Sequence, residues 1–138
     1  LEKSQKEAHR QSQRLLVSAP EWAWKFRVLE AKSMLWRGMY AQTLQLLESW
    51  PTRPNNRDSL IAILALEGAA NARLHEFAKG EENLRQAMQM CMTSSEATCG
   101  EVTLSSGVLA LQHGQIAIAK QDFTKSLEFA RTHNDSFL

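Results

Sequence analysis

The amino-acid sequence predicts an all-α solenoid of antiparallel helix pairs: three pairs, an N-terminal helix before them and the start of another helix after them. Three observations lead there. Short turns centred on Gly38, His75 and Gly114 divide the chain at near-equal intervals, 37 residues from the first to the second and 39 from the second to the third. Side chains of matching size surround each turn: Ala31, Gly68 and Gly107 seven residues before it, Tyr40, Phe77 and Ile116 two after, Thr43, Gly80 and Ala119 five after, and Leu47, Leu84 and Phe123 nine after. The helix that begins at Pro20 is apolar around most of its circumference, so it must be covered on more than one side, as a helix between stacked neighbours is.

The 138 residues suit one repeat domain over 1–138, with 43% hydrophobic residues and a formal charge of +1. So small a net charge gives no single-sign field of the kind that phosphate-neutralising proteins carry, which argues against nucleic acid as a partner. The longest apolar runs, Leu60 to Leu66 and Val108 to Leu111, fall well short of the roughly 20 residues a bilayer-spanning helix needs. Both ends look ragged, which reads as a fragment of a longer protein.

Residues 1–18 contain neither Gly nor Pro and set Lys3, Lys6, Arg10 and Arg14 on one helical face, opposite a thin apolar face of Ala8, Leu15 and Leu16. This reads as a solvated end helix. Ser18 is the expected cap of the next helix, which Pro20 opens because its missing N–H costs nothing in a first turn. The first repeat then covers about 20–50. Pro51, Pro54, Asn55, Asn56 and Asp58 make a connector rich in turn and capping residues. The second repeat, about 57–92, has a first helix crowded with Ala and Gly, which lets a second backbone come close. The third, about 97–131, follows a Ser/Thr-rich loop. The closing residues 133–138, with Asn134 or Asp135 as cap, read as a further helix start whose apolar edge, near Phe129, Phe137 and Leu138, would support self-association.

The small, large, small pattern on each second helix resembles the tetratricopeptide repeat and is best kept in the third unit as Gly107, Ala119 and Phe123. The resemblance covers about Trp24 to Arg131. The family's Trp and Leu on the first helix are replaced by Arg27 and Glu30, by Leu64 and Glu67, and by Thr103 and Ser106 in the three units. Two stretches, APEWAWKFRVLEAKSMLWRG and CGEVTLSSGVLALQHGQ, also resemble the repeat region preceding CHAT peptidase-like domains in large bacterial proteins. That resemblance implies a catalytic domain elsewhere, with no catalytic residue in this chain.

No phosphate-binding, zinc-protease or nucleophile-elbow pattern occurs, so an enzyme is not expected of this chain, and no cofactor is. Met88 to Met92, MQMCM, holds soft ligands, but Met88 and Met92 at a spacing of four suit core packing, and no metal site is assigned. Cys91 and Cys99, at the end of one helix and the start of the next, are placed to form a disulfide. A bridge would argue for an exported or periplasmic protein, and free thiols for a cytoplasmic one.

In tetratricopeptide arrays the first helices line the groove where partners bind. The resemblance places Val28, Lys32, Leu35 and Trp36, then Ala65, Leu66, Ala69 and Arg73, then Leu104, Ser105, Val108 and Gln112 at that groove. Chaperone-binding members grip a peptide carboxylate there with several cations, whereas this chain offers only Lys32 and Arg73, beside an opposing Glu101. The expected function is a protein-interaction scaffold whose groove accepts an apolar or helical segment, anchored by Leu35 and Trp36. The alternative is a non-binding regulatory or spacer region of a larger peptidase-like enzyme.

Overall fold

The computed structural model describes residues 1–50, 52–93 and 98–133. They form seven α-helices: α1 (Glu2–Leu15), α2 (Pro20–Trp36), α3 (Tyr40–Glu48), α4 (Arg57–Arg73), α5 (Phe77–Cys91), α6 (Thr98–Gln112) and α7 (Ile116–His133). No strand occurs among the described residues. Each helix packs on its neighbours in the chain, and α4 also packs on α2 and α6. This is an all-α array compatible with a helical repeat. The helix start expected after His133 lies outside the described residues.

The three turns are built alike. Gly38, His75 and Gly114 have φ of 75°, 62° and 72°, the left-handed conformation that ends a helix. At each, the residue after the turn donates its amide to a carbonyl five residues back: Met39 to Met34 at 3.0 Å, Glu76 to Asn71 at 2.9 Å and Gln115 to Ala110 at 2.8 Å. Glycine adopts this φ without cost, and His75 adopts it with its ring edge-on to Phe77, 5.5 Å between centroids.

The small-residue positions are where backbones meet. Gly68 of α4 faces Gly80 of α5 so closely that a Cβ on Gly80 would lie 3.1 Å from the Gly68 carbonyl oxygen and 3.2 Å from the Ala72 nitrogen. Trp24, Ala31, Leu47, Ile63 and Leu66 form the core joining α2, α3 and α4. A second core of Ile61, Ala65, Ala87, Cys99 and Val102 joins α4, α5 and α6, and Phe129 of α7 packs against it. Phe129 therefore belongs to the core and not to an exposed end, because α7 lies along α6 and turns that ring inward. Phe137 and Leu138 lie outside the described residues.

The connector does not float free. Trp24 donates its indole N–H to the Thr52 carbonyl at 3.1 Å, Trp24 and Trp50 meet edge-on at 4.8 Å, and the Asn55 amide donates to Glu21 at 3.1 Å. Asn56 caps α4 by accepting from the Ser59 amide at 2.9 Å. At α2 the position before Pro20 belongs to Ala19, which offers no side-chain cap. The expected cap, Ser18, stands one residue too early, because Pro20 fixes the first helical position.

The N-terminal helix is more than a solvated end. α1 runs antiparallel to α2 and packs along it, burying Ala8 and Ser12, with His9 against Glu30 and Gln5 against Arg37. The close approach follows from the small side chains at positions 8 and 12. On its outer face Lys6 pairs with Glu2 at 2.8 Å and Arg10 with Glu7 at 3.1 Å, so part of the basic stripe is neutralised within the helix.

Candidate functional site

The first helices α2, α4 and α6 lie side by side, and their equivalent residues fall into rows. Two residues before the turns stand Trp36, Arg73 and Gln112; six before stand Lys32, Ala69 and Val108; nine before stand Leu29, Leu66 and Ser105; thirteen before stand Lys25, Ala62 and Glu101. On each helix these four positions share one face, being spaced by three or four residues. The Lys32–Glu101 ion pair places that face on the same side of α2 and α6. The backbones of α2 and α6 do not touch, so the pair is a strap crossing α4 above the buried Ala62 and Leu66.

Of the expected groove residues, Trp36, Arg73 and Gln112 are exposed and Lys32, Ala69, Ser105 and Val108 half-buried along the face, while Leu104, half-buried, stands outside the four rows in the slot of Val28, and Ala65 and Leu66 are buried. Val28 and Leu35 are drawn away from it: both pack on the core of Trp24, Ala31 and Leu47. Sequence reasoning missed Trp22 and Leu29. Trp22, Leu29 and Trp36 are 56%, 48% and 66% exposed and follow at seven-residue spacing, making an apolar stripe down the free face of α2. That spacing was the signal that would have found them. The ammonium of Lys25 sits 4.4 Å from the centre of the Trp22 ring, a cation–π contact at the same end.

The departures from the tetratricopeptide pattern are buried polar contacts. Arg27, 3% exposed, donates to the Leu46 carbonyl at 3.0 Å and to Ser49, and lies 3.8 Å from the centre of the Trp50 ring. Burial pulls its guanidinium below the ordinary value, against support from Glu30. Glu30 meets His9 Nδ1 at 3.0 Å, and Glu67 accepts from Arg53 at 2.7 Å and from Asn83 at 3.4 Å. Burial raises both carboxyls above the usual range, the nearby His9 and Arg53 opposing it. Ser106, in the equivalent place, donates to Asp122 at 2.8 Å. Each of these side chains has a partner inside the fold, and none points at the α2–α4–α6 face.

A second concavity, about 360 Å³, lies on the opposite side of α6 between α5 and α7, lined by Leu84, Met88, Met92, Leu109 and Ile118. Its charged groups are already matched: His113 with Glu81 at 3.1 Å, and Arg85 with Glu82, whose carboxyl Arg85 and Gln86 hold down at about 2. The soft-ligand stretch is part of the scaffold. Met88, Met90 and Cys91 pack on the second core, and Cys91 is bonded to Cys99 with the Cα atoms 5.7 Å apart. Among the described residues no group of three or more His, Cys, Asp or Glu side chains is arranged to hold a metal.

The geometry defines a class, an all-α array with one face formed by three first helices. No family model, no curated protein and no solved structure matches the chain. No described helix is long and apolar enough to cross a membrane.

Proposed function

We propose that the protein is a tetratricopeptide-like interaction module whose α2–α4–α6 face binds an apolar or helical segment of a partner protein. The in-register left-handed turns and the buried small residues support the repeat reading. The observation that carries the binding reading is the exposed stripe Trp22, Leu29 and Trp36 on α2. Tryptophans left in water on a rigid helix are the residue type most enriched among binding hot spots. Lys32 and Arg73, on separate helices beside an opposing Glu101, do not make the several-cation carboxylate clamp of chaperone-binding tetratricopeptide proteins. The disulfide supports placing the protein in an oxidising compartment.

The test is selection of helical peptides from a random display library on immobilised wild type, followed by titration of the selected peptides against Trp36→Ala. Loss of about tenfold or more in affinity, some 1.4 kcal/mol, is expected. The competing reading is a spacer attached to a peptidase-like domain, as the weaker resemblance implies, and the strap across the face favours it because an internal ion pair already fills the middle. A spacer selects no peptide in either form.

A further inference from the structure

We propose that the ligand of the α2–α4–α6 face is an acidic amphipathic helix, and that Glu101 is a built-in competitor holding Lys32 until a ligand carboxylate replaces it. This rests on the reading of that face as a binding surface and adds the chemistry of the partner. The rows contain three cations, Lys25, Lys32 and Arg73, against one acid, Glu101. One turn lower stand two further acids, Asp58, which accepts from the Thr98 hydroxyl, and Glu21, one oxygen of which accepts from the Asn55 amide; both partners are neutral donors, so that end of the face is not cationic. Toward the turns, in the rows of Lys32 and Arg73, the face carries two cations and no acid, and that part is complementary to negative charge.

The apolar part dictates shape. Trp22 and Trp36 are fourteen residues apart on α2, about 21 Å at 1.5 Å per residue, with Leu29 midway. A helix lying along α2 presents its own apolar residues at that seven-residue interval, as neighbouring helices in a coiled pair do, and an extended strand does not. Acidic residues flanking its seam would then fall beside Lys32 and Arg73.

Glu101 meets such a ligand as a rival. Its carboxylate crosses α4 to reach Lys32, with the two side chains 30% and 40% exposed. An ion pair this open to water is worth little, so a ligand carboxylate can replace it at small cost. Among the described residues no acid is paired with Arg73 in this way.

Two synthetic helical peptides test this on the whole chain, both with leucine at seven-residue intervals, one with Glu along the flanks and the other with Gln at the same places. Calorimetry on wild type is expected to give at least about tenfold tighter binding of the Glu peptide. Glu101→Gln should tighten the Glu peptide about three- to fivefold and leave the Gln peptide unchanged. Lys32→Met should weaken the Glu peptide and cancel the gain of Glu101→Gln, with thermal melts verifying that each variant is folded. Equal binding of both peptides, lost on Trp36→Ala, overturns the acidic ligand and leaves the face reading standing. A preference for the Glu peptide that ignores Glu101→Gln overturns the competitor role. Failure of both peptides to bind overturns the face reading and this inference together.

Discussion

Glu30 and Glu67 occupy the same place in successive units and pose the same problem, a carboxylate 4% and 5% exposed on the buried side of a first helix. Burial raises both above the 4.5 of a free carboxyl, with His9 and Arg53 opposing it. A carboxyl whose folded value is raised binds more protons folded than unfolded, so the stability it contributes is present below its unfolded value and is lost as pH rises through the folded one. Exposed Glu82, held at about 2, works oppositely and only in acid, where its contact with Arg85 is lost as pH falls from 4.5 toward 2. Thermal melts should therefore show the midpoint falling by a few degrees, roughly, from pH 5 to 7. The double variant Glu30→Gln with Glu67→Gln should flatten that slope. A wild-type midpoint that rises over this range would contradict the assignment. These positions are also where sequence reasoning was least informative, because a polar residue in a repeat slot shows a departure but not its partner: Arg53, His9 and Ser49 come from other elements.

At the scale of elements, the α4–α5 crossing shows why the small residues stand where they do. A Cβ added at Gly80 meets only backbone, the Gly68 oxygen and the Ala72 nitrogen, and neither can turn aside. A Cβ at Gly107 meets the Phe123 ring at 2.7 Å and the Cβ of Asp122 at 3.3 Å, and the half-buried ring is free to move outward. Replacing a helical glycine by alanine gains about 1 kcal/mol of helix propensity, while forced overpacking costs about 1–3 kcal/mol. At Gly80 the overpacking dominates, so Gly80→Ala should lower the unfolding free energy by roughly 1–2 kcal/mol in urea titration. Gly107→Ala should change it by clearly less, and equal losses at both sites would contradict this account. The Cys91–Cys99 bond closes the next junction, between α5 and α6, across a separation of eight residues. In the chain-entropy description so short a loop stabilises by about 2.5 kcal/mol. Both features were legible before the structure, since spacing alone put Gly68 and Gly80 in the two small-residue slots on either side of the turn and the two cysteines at facing helix ends. The packing of α1 was only partly legible: Ala8 belongs to the thin apolar face read from the sequence, a face able to dock on a neighbouring helix, whereas Ser12, buried with it, gives no apolar signal.

Across the whole molecule, the helix pairs were readable because each unit reuses one turn and one set of packing sizes, and the proposed binding face was half readable for the same reason. The register located Lys32, Trp36, Ala69, Arg73, Val108 and Gln112 on it, but could not say that Val28 and Leu35 lean into the core while Trp22 and Leu29 stay out. The register also exposes an unmatched surface. Leu47 of α3 and Leu84 of α5 are buried against neighbouring helices, α4 among them for the first and α6 for the second. Their counterpart Phe123 on α7 is only half-buried, within a shallow apolar hollow shared with Leu111, Ile116 and Leu127, of which Leu111, Ile116 and Leu127 are 50%, 61% and 48% exposed. If the chain self-associates, as expected from the apolar edge near Phe129, Phe137 and Leu138, this hollow on the outer side of α7 is the surface to test, since Phe129 packs inward. A patch of a few hundred Å², roughly, is the size at which exposed apolar surface becomes sticky, but it is small beside the about 1,200 Å² that stable interfaces bury in total. The association should therefore be weak: light scattering should show the mean mass rising gradually with concentration. Because Ile116 and Leu127 point into water, Ile116→Lys with Leu127→Glu should abolish that rise while leaving the melting temperature within a degree or two, roughly, of wild type. A wild type that stays monomeric at the highest attainable concentration, or a variant that associates equally well, would place the surface elsewhere.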